Sequence, residues 1–133
     1  MKELVWDRTL SVEVEEIDED HRRLIKLFNL LARAVAEEED AAYVAALLEE
    51  LVCCTAWHFR HEERLMLKHG YEERAAHEQE HSELIDGVRE LQRDFLATGK
   101  RLADADIEYL ERWLAEHILV ADMPLGAHLA GLV

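Results

Sequence analysis

Proline and glycine are scarce in this chain of 133 residues, since proline occurs once and glycine five times. Because these residues mark most turns, a chain with so few of them should have few breaks and long regular elements. The rest of the sequence is dominated by alanine, leucine, glutamate and arginine, which are good helix formers. We therefore expect an all-α protein, and the length fits a single domain.

Positive charge and long apolar runs are also scarce. There are 15 Lys and Arg residues against 30 Asp and Glu residues, and the formal net charge of -15 argues against binding to nucleic acids or anionic membranes. The uncharged stretches 41–48 and 51–57 are far shorter than the roughly 20 residues of a membrane span. Because Met1 is not followed by an apolar signal-peptide block, we expect a cytoplasmic protein without membrane insertion.

Cysteine offers little as a cross-link or as a metal ligand. Cys53 and Cys54 are adjacent, so they cannot close a useful disulfide loop, and they lack the C-x-x-C spacing of redox and zinc motifs. We interpret both as small buried hydrophobic residues. Histidine, by contrast, occurs eight times, and the positions of these residues need an explanation.

Apolar residues recur at the three- and four-residue spacing of amphipathic helices. The stripes predict helices over about 18–36, 41–69, 73–97 and 104–122, an extended N-terminal arm over 1–17 and a C-terminal tail over 123–133. Gly70 falls where a left-handed helix cap is expected. Short links between the helices favour an antiparallel up-and-down four-helix bundle, which makes the whole chain 1–133 one domain.

Polar side chains interrupt these stripes at positions that helical periodicity assigns to the core: His21, His58, Glu62, His77, His81 and His117. A buried ionised carboxylate costs several kcal/mol unless it is paired or bound to metal, and no Lys or Arg shares the stripes. His58 and Glu62 are one helical turn apart, and so are His77 and His81, so each pair can converge on one ion. The pattern predicts a metal site inside the bundle.

Asp122, five residues after His117, is the last candidate ligand. An ideal helix would turn these two side chains roughly 140° apart. Pro124 should bend or end the helix near Asp122, and this distortion could swing the carboxylate inward. The full set of five imidazoles and two carboxylates, with no thiolate, suits two ions of iron, manganese or zinc that are bridged by carboxylates.

These motifs resemble those of the hemerythrin family, and specifically of its bacterial members, from Trp6 to Asp122. The resemblance is carried by Ile17-Asp18 with His21, by His58-Phe59-x-x-Glu62-Glu63, by His77-x-x-x-His81, and by Trp113-Leu114-x-x-His117 with Asp122. It implies a cofactor of two non-haem irons, one held by His77, His81 and His117 and the other by His21 and His58. Glu62, Asp122 and an oxo or hydroxo group would bridge the two irons.

The resemblance also implies reversible dioxygen binding, for storage, delivery or sensing. Dioxygen would bind at the iron with two His ligands, under an apolar lining that includes Leu114, with Phe59 and Trp113 as neighbours. A protein partner is expected only where oxygen delivery or signalling requires one. The same resemblance does not imply a catalytic residue, so we expect a binding protein rather than an enzyme.

Two other functions stay open at this level. A di-iron enzyme could act on peroxide, nitric oxide or another small oxidant, although the remaining stripe positions are apolar and offer no further acid or base. A bundle stabilised by structural zinc would use the same side chains. We interpret His69 and His128 as non-ligands, place His61 beside the ligand face, and expect the acidic stretch 13–20 to be mostly solvated.

Overall fold

The computed structural model describes residues 3–132, and within that range its regular elements are all helical. They are a 3-10 turn at Arg8–Leu10, α1 (Glu15–Ala36), α2 (Ala41–His69), α3 (Arg74–Thr98), α4 (Asp104–Arg112), a π-helical segment (Trp113–Val120) and α5 (Asp122–Leu129). The last three elements follow one another almost without a break and act as the fourth helix. The predicted all-α four-helix bundle is confirmed. The predicted arm and tail include residues 1, 2 and 133, which lie outside the described residues.

The four helical columns enclose one large apolar core. α1 packs against α2, α2 packs against α3, and the fourth column returns to α1. Trp113 closes the bundle on its remaining side, because its Nε1 donates a hydrogen bond to the Leu84 carbonyl oxygen of α3 at 3.1 Å. Leu24, Leu48 and Leu110 are fully buried in this core.

Helices α2 and α3 both end at a glycine. Gly70 and Gly99 have φ angles of 63° and 66°, which lie in the left-handed region that a Cβ atom disfavours. The Gly99 N–H donates to the Phe95 carbonyl oxygen, so the last turn of α3 stays satisfied. These two residues explain why the sequence-based ends of α2 and α3 lie close to the observed ones.

The first helix begins at Glu15, three residues before the predicted start at Asp18. Glu15 and Asp18 both lie in its first turn, where carboxylates interact favourably with the helix dipole. Asp18 does not cap the helix but reaches back to the arm, accepting hydrogen bonds from Ser11 Oγ at 2.6 Å and the Val12 N–H at 2.9 Å. The expectation that 13–20 is mostly solvated is wrong for Asp18 and Asp20, which are both buried.

The N-terminal arm packs along α1. The Leu4 N–H donates to Asn29 Oδ1 at 3.0 Å, and Asn29 Nδ2 donates to the Leu4 carbonyl oxygen at 2.7 Å. Val12 and Val14 are buried at the end of the arm. Paired hydrogen bonds and buried side chains therefore fix an irregular segment to the bundle.

The segment after Asp122 is not a tail, because α5 continues to Leu129. Pro124 lies in the first turn of α5, where backbone N–H groups lack intrahelical acceptors, so proline does not stop this helix. His128 Nε2 lies 3.0 Å from the His69 carbonyl oxygen and ties α5 to the end of α2. Leu125 and Leu129 complete a second, smaller apolar core with Val12, Val14, Ile17, Leu65 and Met66.

The two cysteines differ in exposure. Cys53 is exposed on α2 and Cys54 is half-buried, so the interpretation of both as buried hydrophobic residues is wrong. Cys53 Sγ donates to Glu49 Oε1 one turn earlier at 3.1 Å. Adjacent helical residues point about 100° apart, so one of them can turn away from the core.

Helix α2 is long and apolar enough, by length and composition alone, to cross a membrane. In the structure it packs against α1 and α3 and carries the buried residues His58 and Glu62. It is therefore a core helix of the bundle.

Candidate metal centre

Six of the predicted ligands meet inside the bundle. α1 supplies His21, α2 supplies His58 and Glu62, α3 supplies His77 and His81, and the fourth column supplies Asp122. All six side chains are buried. On α1, α2 and the fourth column they lie between residues of the large core and residues of the smaller core, and on α3 they precede Leu84 of the large core.

The ligand atoms form two groups that share both carboxylates. One group contains His21 and His58, the other contains His77 and His81, and Glu62 and Asp122 belong to both. Within each group the atoms lie within 4.8 Å of one another. This arrangement can hold two ions, each near one pair of histidines.

The first group has the spacing of a transition-metal site. His21 Nε2 lies 3.2 Å from His58 Nε2 and 2.9 Å from Asp122 Oδ2. His58 Nε2 lies 3.2 Å from Glu62 Oε2. Two ligands that each bind one ion at about 2.0–2.2 Å lie roughly 3 Å apart, which matches these separations.

The second group uses the other oxygen of each carboxylate. His77 Nε2 lies 3.3 Å from Glu62 Oε1 and 3.0 Å from Asp122 Oδ1. His81 Nε2 lies 2.9 Å from Glu62 Oε1. Glu62 and Asp122 therefore each direct one oxygen towards each pair of histidines, which is the orientation of a bridging carboxylate.

Some buried polar atoms of the cluster need a further partner. Within residues 3–132, Glu62 Oε2 and His81 Nε2 are buried without a hydrogen-bond partner. An unsatisfied buried polar atom costs about 1–3 kcal/mol. A cation bound among the nitrogen and oxygen atoms would satisfy both, so the residues present fit two transition-metal ions.

The electrostatic environment of the cluster favours positive charge next to its carboxylates. Burial opposes the ionised form of Glu62, yet the neighbouring His58 holds the pKa of this carboxyl well below its usual value. Burial also opposes the charged form of His58, but attraction to Glu62 raises the pKa of His58 well above its usual value. Burial opposes charge on His77 too, and hydrogen bonds to Asp122 and Glu62 raise its pKa to about 10. Metal ions would displace these protons on binding.

In the structure His117 lies apart from the other six residues, so six of the seven predicted ligands are brought together. Its side chain is 47% exposed, and its Nδ1 lies 3.2 Å from Glu80 Oε1 on α3. The cause is the π-helical segment, whose wider turn changes the direction of the side chains that it carries. The distortion predicted between His117 and Asp122 exists, but it precedes Pro124, and it is Asp122 that faces the cluster.

Two carboxylates that the sequence analysis overlooked contact the ligands from outside the cluster. Asp20 Oδ2 lies 2.8 Å from His58 Nδ1, and Glu63 Oε2 lies 2.9 Å from His81 Nδ1. Asp20 could have been found, because it lies one turn before Leu24 on the apolar stripe of α1. Glu63 belongs to the motif that carries the resemblance, but it lies beside the apolar stripe of α2, so helical periodicity did not indicate its contact with His81.

The three residues predicted to line the dioxygen site are buried. Trp113 and Leu114 belong to the large core. Phe59 stacks on His81, with ring centroids 3.8 Å apart and planes 7° apart, whereas its ring lies 6.0 Å from that of His58. Phe59 thus covers the His81 side of the cluster rather than the side of His21 and His58, where the resemblance implied an open position.

An all-α bundle in which two carboxylates lie between two pairs of histidines is a dinuclear metal protein. The chain matches the family model described as the hemerythrin HHE cation binding domain over residues 12–128. A bacteriohemerythrin of Pseudomonas paraeruginosa is 39% identical over 118 residues, which cover 89% of this chain and 76% of the relative. A myohemerythrin of Riftia pachyptila is 30% identical and covers 94% of this chain and 92% of the relative.

Solved structures agree with these relatives. The crystal structure of a wild-type hemerythrin matches with a TM-score of 0.88 at 26% identity, and the match covers 96% of this chain and 98% of that chain. The chain therefore belongs to the hemerythrin family. It binds dioxygen at a non-haem di-iron centre, as predicted. The hemerythrin relatives support dioxygen binding rather than the enzyme alternative.

Proposed function

We propose that six clustered residues hold the two irons at which the protein binds dioxygen reversibly. His21 and His58 would bind one iron, His77 and His81 would bind the other, and Glu62 and Asp122 would contact both. The observation that carries this assignment is the orientation of the two carboxylates, which each direct one oxygen to each histidine pair. The irons supply the redox chemistry for dioxygen, and the protein supplies their ligands and surroundings.

His117 stays a predicted ligand of the iron near His77 and His81. To reach that iron, the π-helical segment would have to rewind and release the contact with Glu80. The six residues of the cluster do not depend on this rearrangement.

The surroundings of the cluster favour reversible binding over side reactions. All six proposed ligands are buried, with His77 the most exposed at 8%. Phe59 stacks on His81, and Trp113 and Leu114 are buried in the large core. Because such a site excludes water, bound dioxygen would be protected from proton leakage from the solvent.

The protein is proposed to work in the cytoplasm, away from membranes and nucleic acids. The net charge of -15 supports the lack of binding to membranes and nucleic acids, because it repels the phosphate groups of lipids and of nucleic acids. Storage of oxygen needs the cluster alone. Delivery or sensing would add a protein partner that responds to the oxygen-bound state.

Anaerobic reconstitution with ferrous iron tests this function. We expect about two irons per chain, and a visible absorption band that appears in air and disappears when the gas is pumped away. His77→Ala should lose the band, whereas Gln79→Ala, an exposed position on the same helix, should keep it. A wild-type chain that holds two irons but shows no reversible band would contradict the proposal.

A further inference from the structure

A series of side-chain contacts leads from His58 to the protein surface. His58 Nδ1 and His61 Nδ1 lie 2.8 Å and 2.6 Å from the same oxygen, Asp20 Oδ2. His61 Nε2 in turn lies 3.0 Å from Glu16 Oε1. Exposure rises along the series, from 6% for the Asp20 side chain to 12% for His61 and 46% for Glu16.

A third metal ion could bind between Asp20, His58 and His61, whose ligand atoms lie close together. The distances argue against it. Ligand atoms on one transition-metal ion lie roughly 3 Å apart, given bonds of about 2.0–2.2 Å. Asp20 Oδ2 and His61 Nδ1 are only 2.6 Å apart, which is a hydrogen-bond distance to a carboxylate.

We propose that Asp20, held in place by its contact with His61, is the positioning residue of His58 and sets how strongly His58 binds its iron. Because His58 Nδ1 donates to Asp20, the neutral imidazole that binds a metal carries its lone pair on Nε2, which faces Glu62 Oε2 at 3.2 Å and Asp122 Oδ2 at 3.6 Å. A carboxylate that accepts from one imidazole nitrogen fixes the ring orientation and makes the other nitrogen a stronger donor. The inference rests on the proposed function, since it directs Nε2 to an iron.

The contact with His61 and the deeper burial of Asp20 make it more effective than Glu63, the carboxylate on the other side of the cluster. Glu63 accepts from His81 Nδ1 at 2.9 Å, but its side chain is 30% exposed, against 6% for Asp20. Electrostatic effects weaken as water approaches the pair. On the Asp20 side, His21 Nδ1 has no hydrogen-bond partner among the described residues, so Asp20 alone supports that histidine pair from outside.

The test compares Asp20→Asn with the matched variant Glu63→Gln. Each change keeps the shape of the side chain and removes its charge. Anaerobic titration should show that Asp20→Asn lowers the affinity for one of the two ferrous ions by about 10–100-fold. Glu63→Gln should lower it less, and Asp20→Glu should recover part of the loss.

A zinc-loaded sample gives a readout that does not depend on iron or oxygen. In its NMR spectrum the His58 Nδ1–H proton should move upfield in Asp20→Asn, because the hydrogen bond to a carboxylate is lost. If Asp20→Asn does not fold, His61→Phe removes only the contact between His61 and Asp20. It should move the His58 Nδ1–H resonance upfield by a smaller amount.

Each outcome decides the inference. Equal ferrous affinities of wild type and Asp20→Asn, or an unchanged His58 resonance, would overturn the role of Asp20 and leave the proposed function intact. A wild-type chain that takes up no iron would overturn both. A loss of affinity confined to one ion, together with the shifted resonance, would support the inference.

Discussion

At the scale of single residues, Glu62 connects the two halves of the centre. It is fully buried, and its two oxygens face different histidine pairs. Glu62→Gln should lower the iron content from about two per chain to one or fewer, because an amide is a poor bridging ligand. Metal analysis after reconstitution checks this, with the exposed Glu50→Gln on the same helix as the control. Two tightly held irons in Glu62→Gln would contradict the bridging role.

Gly126 is the residue on which the packing of α5 depends. A Cβ atom at this position would lie 2.6 Å from Val12 Cβ and even closer to the Val12 carbonyl oxygen, so arm and helix would have to separate. We expect Gly126→Ala to lower the free energy of unfolding by about 1–3 kcal/mol, as overpacking does. Urea denaturation measures it, and Ala127→Ser, at an exposed neighbouring position, should have little effect. Equal midpoints for the two variants would contradict this packing.

Residue types and spacing predicted most of the centre but not its support. His58 with Glu62 and His77 with His81 could be found because a one-turn spacing on an apolar stripe is visible in the sequence. Glu63 could not be found, because its contact with His81 depends on how α2 and α3 pack. Which side chain contacts a carboxylate such as Glu63 depends on tertiary packing, and the sequence of one helix does not encode it.

At the scale of secondary structure, the π-helical segment decides which side chains of the fourth column face the irons. It turns Asp122 inward and leaves His117 beside Glu80. If iron binding draws His117 inward, His117→Ala should lower the iron affinity and change the absorption spectrum, whereas Glu80→Ala should not lower it. Ferrous titration of both variants checks this. Wild-type affinity in His117→Ala would show that six ligands suffice.

The same segment explains where prediction of the elements failed. Helix ends at Gly70 and Gly99 follow from local backbone preferences, so the sequence predicts them. The π segment, by contrast, has no such local signal in the sequence. Pro124 predicted a break but lies in the first turn of a new helix, and only the buried contacts of Leu125 show why that helix forms.

At the scale of the whole molecule, the cluster ties four helical columns together. Its ligands come from every column, so ions bound there link segments that are far apart in sequence. A ligand that binds only the folded state stabilises it by mass action. The metal-loaded chain should therefore unfold at a higher temperature than the metal-free chain, and calorimetry of the zinc-loaded and metal-free forms measures the difference. Equal unfolding temperatures at saturating zinc would contradict this linkage.

The pH dependence of the metal-free chain is a further property of the whole molecule. The pKa of His77 rises from 6.5 to about 10 on folding, so between these values the folded chain binds more protons than the unfolded chain. Its contribution to stability is therefore complete below pH 6.5 and is lost as the pH rises through about 10.

We accordingly expect the unfolding temperature of the metal-free chain to fall as the pH is raised from 6.5 to 10. His77→Gln should flatten this dependence, because the titrating group is gone. The zinc-loaded chain should also show a flatter curve, since histidines that bind metal are already deprotonated. Thermal unfolding followed by circular dichroism across this range tests all three samples. A metal-free wild type whose unfolding temperature stays constant or rises would show that His77 does not serve as a counter-ion of Glu62 and Asp122.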